Sequence, residues 1–288
     1  MAETRDPRLT PARPDLAAAH LEGIVKAPRY VVARPMRVAV AMAPLTALPD
    51  TDAPLGSQLL LGEAFDVYDT APGWAWGQSV LDGYVGYVPD CCLGPPGAAP
   101  THRVTLGQAL IYPRPDLRSR PVGAAPLGAR LTIAEIGHAF CALADGGHIP
   151  TPHLCPVDRP SRDWVAVAQG FLGAPYLWGG RSAAGIDCSG LVQVARQASG
   201  HDCPRDSDMQ AAAPGEDVAA GALARGDLVF WKGHVGIMAT PLQLLHANAH
   251  HMAVVSEPLA RAEARIAAAG GGPVTARLRW PGAPPQRG

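Results

Sequence analysis

The sequence has no run of apolar residues long enough to cross a bilayer as a helix. It has no surplus of basic charge either: 24 Lys and Arg stand against 25 Asp and Glu, a net charge of -1. That balance removes the usual footing for nucleic acid or an anionic membrane, and neither is expected as a partner. Six cysteines are present without one C-x-x-C pair. Neither a zinc site nor a disulfide framework is expected, and no metal or cofactor is called for. The opening residues, Met1-Ala2-Glu3-Thr4-Arg5-Asp6, lack the basic start and apolar stretch of a secretory leader. The expectation is a cytoplasmic protein.

What the chain does have is glycine and proline, 32 and 30 in 288 residues, which suits short strands joined by many turns. Its length allows two or three domains with their own cores. Residues 1–33 are expected to hold a helical segment over 15–25, with Asp15 as its cap and Leu16, Ala19, His20 and Gly23 on one face. Strands are expected over 36–42, 57–61, 64–68, 74–80 and 84–88. Asp82-Gly83, between two aromatic-rich runs, is a hairpin signal. Together these predict a small barrel over 34–95.

The next stretch echoes that one. Leu60-Leu61-Gly62-Glu63-Ala64-Phe65-Asp66-Val67 returns as Pro126-Leu127-Gly128-Ala129-Arg130-Leu131-Thr132-Ile133. Gly86-Tyr87-Val88-Pro89 returns as Gly147-His148-Ile149-Pro150. A second barrel is therefore expected over 101–157, behind the linker-like Gly94-Pro95-Pro96-Gly97.

From residue 158 the texture changes. A helix is expected over 163–171, a short one following a polar turn at 205–210, and strands over 226–231, 234–238, 244–247 and 274–280. Glycines punctuate the chain up to Gly190, then Leu191, Val194, Ala195 and Ala198 recur at helical spacing. Cys188 thus falls in a first helical turn, where the dipole and the free backbone N–H groups favour a thiolate. On the strand at 234–238, His234, Gly236 and Met238 point one way. If the next strand returns about Thr240, His246 stands opposite His234. A helix start carrying Cys188, packed over that face, would supply a nucleophile, a base and an orienting group.

Those stretches resemble the NlpC-type cell-wall cysteine peptidases, which have a compact papain-like fold. The likeness rests on Tyr176-Leu177-Trp178-Gly179-Gly180, Asp187-Cys188-Ser189-Gly190-Leu191, Gly226-Asp227-Leu228-Val229-Phe230-Trp231, His234-Val235-Gly236-Ile237 and Leu245-His246-Ala247. It implies Cys188, His234 and His246 as the catalytic set. Trp74, Trp76 and the run from Asp82 to Pro89 resemble bacterial SH3-type (SH3b) domains. The expected fold class is α+β: a papain-like domain over 158–288, preceded by two SH3b barrels and an N-terminal helical segment.

With those barrels in front, the chain is similar to the γ-D-glutamyl-L-diamino acid endopeptidases of murein recycling. That similarity implies a substrate such as L-Ala-γ-D-Glu-diaminopimelate with a free amine. The amine would be held around Asp187, Ser189 and Ser207, with Tyr176 near the oxyanion. It also implies a tyrosine from the first barrel at the non-prime end, Tyr84 or Tyr87. Asp187 is equally suited to cap the Cys188 helix, and Tyr176 to simple packing. Two competing readings remain: a wall-binding module with a vestigial peptidase domain, and an amidase or acyltransferase on the same fold.

Overall fold

The computed structural model describes residues 5–282, which divide into two units between Val157 and Asp158. In the first unit, seven strands form one antiparallel sheet: β1 (Arg34–Val38), β2 (Met42–Thr46), β3 (Leu55–Leu60), β4 (Ala64–Ala71), β5 (Trp74–Ser79), β6 (Val85–Pro89) and β7 (Leu93–Gly94). Their order across the sheet is β7-β1-β4-β5-β6-β2-β3. Alternate residues turn inward, and Val38, Leu45, Leu59, Phe65, Val67, Ala75 and Val88 are buried. The strand expected over 36–42 is two strands, because the chain turns over 39–41 and Met42 opens β2. Gly73 and Gly83 take positive φ (80° and 75°) in the turns flanking β5 and β6.

The helix expected over 15–25 is not formed. Short strands Ala12–Arg13 and Leu16–Ala18 pair with each other, a single 3-10 turn covers Ala19–Leu21, and Tyr30–Val31 pairs parallel to Leu16–Ala18. Leu16, Ala17 and Ala18 are all fully buried, and with Leu21 they pack on Tyr68 and Trp76. Three consecutive buried residues suit an extended segment covered on both sides, not a helix with one apolar face. Tertiary contact overrides the alanine-rich propensity here. Asp15 caps nothing; it accepts from the Arg13 guanidinium.

The rest of the first unit has its own buried cluster, Val104, Ala109, Ala125, Ala129, Leu131, Cys141 and Ile149. Its strands repeat a local device of the first sheet. β6 ends at Pro89, a 3-10 turn spans Asp90–Cys92, and β7 then pairs with β1. Likewise His148–Pro150 runs into a 3-10 turn at Thr151–His153, and Leu154–Pro156 pairs with His102–Val104.

The second unit is a sheet with helices. Its main strands are β8 (Leu228–Trp231), β9 (His234–Met238), β10 (Gln243–Asn248), β11 (Ala253–Pro258) and β12 (Ala276–Arg279), in the order β12-β8-β9-β10-β11, with Glu216–Asp217 beside β12. All neighbours are antiparallel. The helices are α1 (Trp164–Gln169), α2 (Cys188–Ala198), α3 (Ser207–Ala211) and α4 (Leu259–Ala268). β8 and β10 are almost wholly buried on both faces, so the sheet is covered on each side. Ala262 of α4 packs with Val229, Trp231, Met238 and Leu244.

Candidate active site

Cys188 is the first residue of α2, and Asp187 is its N-cap, accepting from Gly190 N–H at 2.7 Å. The chain turns into the helix tightly at Gly190. A Cβ there would lie 2.4 Å from the Gly180 carbonyl oxygen, so only glycine fits. The Asp187 carboxylate is heavily engaged. It also accepts from Gly179 N–H (2.8 Å), from the Ser189 hydroxyl (3.3 Å) and from both ends of the buried Arg205 guanidinium (3.0 and 2.7 Å). Arg205 donates to the Ser189 hydroxyl as well, at 3.0 Å. The capping role expected of Asp187 is therefore present, and the charge expected to meet an amine is offset by an arginine that the sequence reading passed over.

The histidine register differs from expectation by two residues. β9 and β10 pair as Ile237↔Leu245 and Met238↔Leu244, so the ladder returns about position 241 rather than Thr240. His246 lies across from Gly236, not His234. A slip of two keeps every side chain on its face, so the two imidazoles become diagonal neighbours. Their rings stay in contact: His234 Nε2 is 2.8 Å from His246 Nδ1. The face they share is the one α4 covers, so α2 does not lie over it as expected.

The sulfur reaches the sheet by another route. Ladder pairing between β9 and β10 ends at Ile237↔Leu245. The Val235 amide, two residues along β9, points to the same side as that of Ile237. It donates to the Cys188 sulfur instead of a strand partner. The sulfur thus enters at the seam where the strands part, beside the residue that follows His234.

The helix start does not make a resting thiolate. Burial, with Asp187 adding to it, pushes the Cys188 thiol up to about 12, against the smaller opposing pull of the Val235 N–H and Arg205. Burial likewise pushes His234 down to about 3 and His246 down to about 4. Tyr176 is half-buried on the loop before α2, and burial together with the nearby Cys188 raises its hydroxyl to about 12. That hydroxyl stays protonated and able to donate. Ser207 is half-buried and opens α3.

Besides Arg205, two groups in this site went unread in the sequence. Glu257 of β11 sits 2.9 Å from His246 Nε2, and Arg265 of α4 pairs with Glu257. The signal was a lone acid in the run Ala253-Val254-Val255-Ser256-Glu257, at a position facing the same way as His246 once the strands are paired. Tyr84 and Tyr87 lie in the first unit. Tyr84 is buried, and the Tyr87 hydroxyl accepts from Arg13 at 2.9 Å, whose guanidinium stacks 4.5 Å over Trp76. Among the described residues no three His, Cys, Asp or Glu side chains are grouped to hold a metal.

Residues 173–264, which hold Cys188, His234 and His246, match the NlpC/P60 family, and residues 45–91 match the bacterial dipeptidyl-peptidase SH3 domain. The chain thus carries an NlpC/P60 domain behind an SH3 domain, with mixed helix and strand content. Among curated relatives, it is 39% identical over 95 residues to the γ-D-glutamyl-L-lysine dipeptidyl-peptidase of Bacillus subtilis (strain 168), covering 30% of this chain and 32% of that one. The Bacillus cereus protein of the same name is 26% identical over 230 residues, 69% of this chain and 64% of that one. The chain spans from about a third to just under two thirds of these relatives' lengths. The crystal structure of an NlpC/P60 family protein from Bacillus cereus ATCC 10987 shares the fold, with a TM-score of 0.73 and 21% identity, over 86% of this chain and 99% of that one.

Proposed function

We propose that this chain is a cysteine endopeptidase that hydrolyses the bond between γ-D-Glu and a diamino acid in murein peptides such as L-Ala-γ-D-Glu-diaminopimelate. The observation that carries the reading is the sulfur of Cys188 at the β9–β10 seam, where it takes the Val235 N–H next in sequence to His234, whose ring is hydrogen-bonded to His246. Cys188 attacks the γ-carbonyl carbon while its proton passes to His234. The tetrahedral oxyanion is met by the Cys188 backbone N–H at the helix start and by the protonated Tyr176 hydroxyl. Collapse breaks the C–N bond, and His234 gives its proton to the leaving amine. His234 then takes a proton from water, which attacks the thioester and returns the thiol and a free γ-carboxylate.

Names of relatives support the substrate class, and the family match supports hydrolysis. Recognition of a free amino-terminal L-Ala belongs to the same proposal, with Asp187, Ser189 and Ser207 as its partners. Asp187 already accepts from five donors, so the hydroxyls would carry much of that contact. The test is mass-spectrometric: the tripeptide is incubated with the full chain and with Cys188→Ala. Cleavage between Glu and the diamino acid, lost on substitution, is the expected result. Undiminished turnover by the alanine variant would end the proposal. Equal rates on free-amine and N-acetylated peptides would remove amine recognition alone.

A further inference from the structure

We propose that Glu257 is a positioning residue: it fixes the tautomers of His246 and His234 in sequence and leaves His234 Nδ1 bare as the proton acceptor. The inference rests on the reading that Cys188 and His234 exchange a proton. It follows from three contacts and the donor inventory of each group.

Glu257 lies on β11 with 8% of its side chain exposed, and its Oε1 stands 2.9 Å from His246 Nε2. The same oxygen receives the Arg265 guanidinium from α4. Burial alone would raise the carboxyl, but the hydrogen bonds from Arg265 and His246 outweigh it and hold the group below its ordinary value. Glu257 is therefore ionised and can only accept. The proton between the two residues must sit on His246 Nε2.

Burial keeps both imidazoles neutral near pH 7. A neutral imidazole carries one N–H, so His246 Nδ1 presents a lone pair. That lone pair faces His234 Nε2 at 2.8 Å. Two lone pairs do not approach that closely, so His234 Nε2 carries its ring's proton and donates. His234 Nδ1 is left free to take a proton.

The opposite chain of tautomers satisfies the His234–His246 contact equally well. His246 Nδ1 would donate to His234 Nε2, and His234 Nδ1 would hold the ring's proton. In that state His234 cannot act as a base. The carboxylate at the far end selects between the two chains. It also favours the positive charge that forms when His234 is protonated, a charge that Arg265 disfavours.

The experiment is nitrogen-15 NMR of the full chain labelled at histidine, without substrate, for the wild type, Glu257→Ala and Glu257→Gln. Steady-state kinetics on the tripeptide run alongside. In the wild type at pH 7 both rings should show the Nε2–H tautomer. Glu257→Ala should mix the tautomers and lower kcat on the order of 100-fold, with KM little changed. Glu257→Gln, whose amide oxygen can still accept, should restore the tautomer and part of the rate. An Nδ1–H form of His246 in the wild type would overturn the proposal, as would unchanged tautomers and kcat in the alanine variant. If Glu257→Ala does not fold, the wild type and the glutamine variant still decide it. A wild type that cleaves no peptide but shows the expected tautomers fails the peptidase reading and not this one.

Discussion

Burial sets the resting chemistry at Cys188. With the thiol raised to about 12 and His234 lowered to about 3, the pair stands uncharged near neutral pH. The nucleophile is then made during attack, by proton transfer, rather than stored as a thiolate. Alkylation of Cys188 by iodoacetamide, followed by peptide mass spectrometry, should accelerate steadily from pH 7 to pH 10. Fast modification that stays constant down to pH 5 would instead reveal a stored thiolate–imidazolium pair. The histidines also tie stability to pH. Their unfolded-state value is near 6.5, and their folded values are about 3 and about 4. Between those limits the unfolded chain binds protons that the folded chain refuses. Stability is thus fully present above pH 6.5 and is lost as pH falls toward 3. Urea midpoints at pH 7.5 and pH 5.0 should show the drop, and His234→Gln should shrink it. An identical drop in that variant would assign the effect to other groups. The type and place of Cys188, His234 and His246 were legible in the sequence because short motifs flank each one. Their protonation was not, since desolvation depends on what packs around a residue from elsewhere in the chain.

At the scale of elements, the seam between β9 and β10 and the start of α2 are each held by one tight arrangement. Arg205 is fully buried and forms a two-pronged pair with Asp187 under the first turn of α2. Removing one partner of such a pair strands a charge, at a cost of about 3–5 kcal/mol. Arg205→Met should lower the urea-derived unfolding free energy by that order, and adding Asp187→Asn should return part of it. A single-variant loss below about 1 kcal/mol would mean the pair is not buried as described. Gly236 has a different duty. It faces the same side as His234 and His246, and a Cβ there would sit 2.6 Å from Leu244 Cδ1. Gly236→Ala should cost about 1–3 kcal/mol through overpacking, read from the same urea titration, and should disturb His246 directly across the ladder. Period and motif revealed β8, β9 and β10 and the parity of their side chains. The two-residue register slip was invisible to that method, because parity is unchanged by it. The segment over 15–25 failed for a related reason: its alanines suit a helix locally, and only contact with Tyr68 and Trp76 makes it extended.

At the scale of the whole chain, each unit has what a fold needs by itself. Among the described residues, the first has its own sheets and buried clusters, and the second has a sheet with helices and a buried cluster of its own. The SH3 match falls wholly inside the first and the NlpC/P60 match wholly inside the second. Residues 158–288 expressed alone should therefore fold, giving a helix-and-strand circular dichroism spectrum and one cooperative urea transition. A broad, non-cooperative transition would show that the second unit depends on the first. The side chains the proposed chemistry uses, Cys188, His234, His246, Tyr176 and Glu257, all lie in the second unit. The isolated unit should accordingly still cleave the tripeptide. Substrate choice is where the first unit should tell, if Tyr84 or Tyr87 serves the amino-terminal end. The ratio of rates on free-amine and N-acetylated peptides should then fall when residues 1–157 are removed. The full-length Tyr84→Phe or Tyr87→Phe chain should reproduce the fall. Of the two, Tyr87→Phe is the sharper variant: it deletes a hydroxyl that accepts from Arg13 at a half-buried position, whereas Tyr84 is buried. A ratio that survives both the truncation and the two substitutions would confine selectivity to the second unit and leave Ser189 and Ser207 as its source.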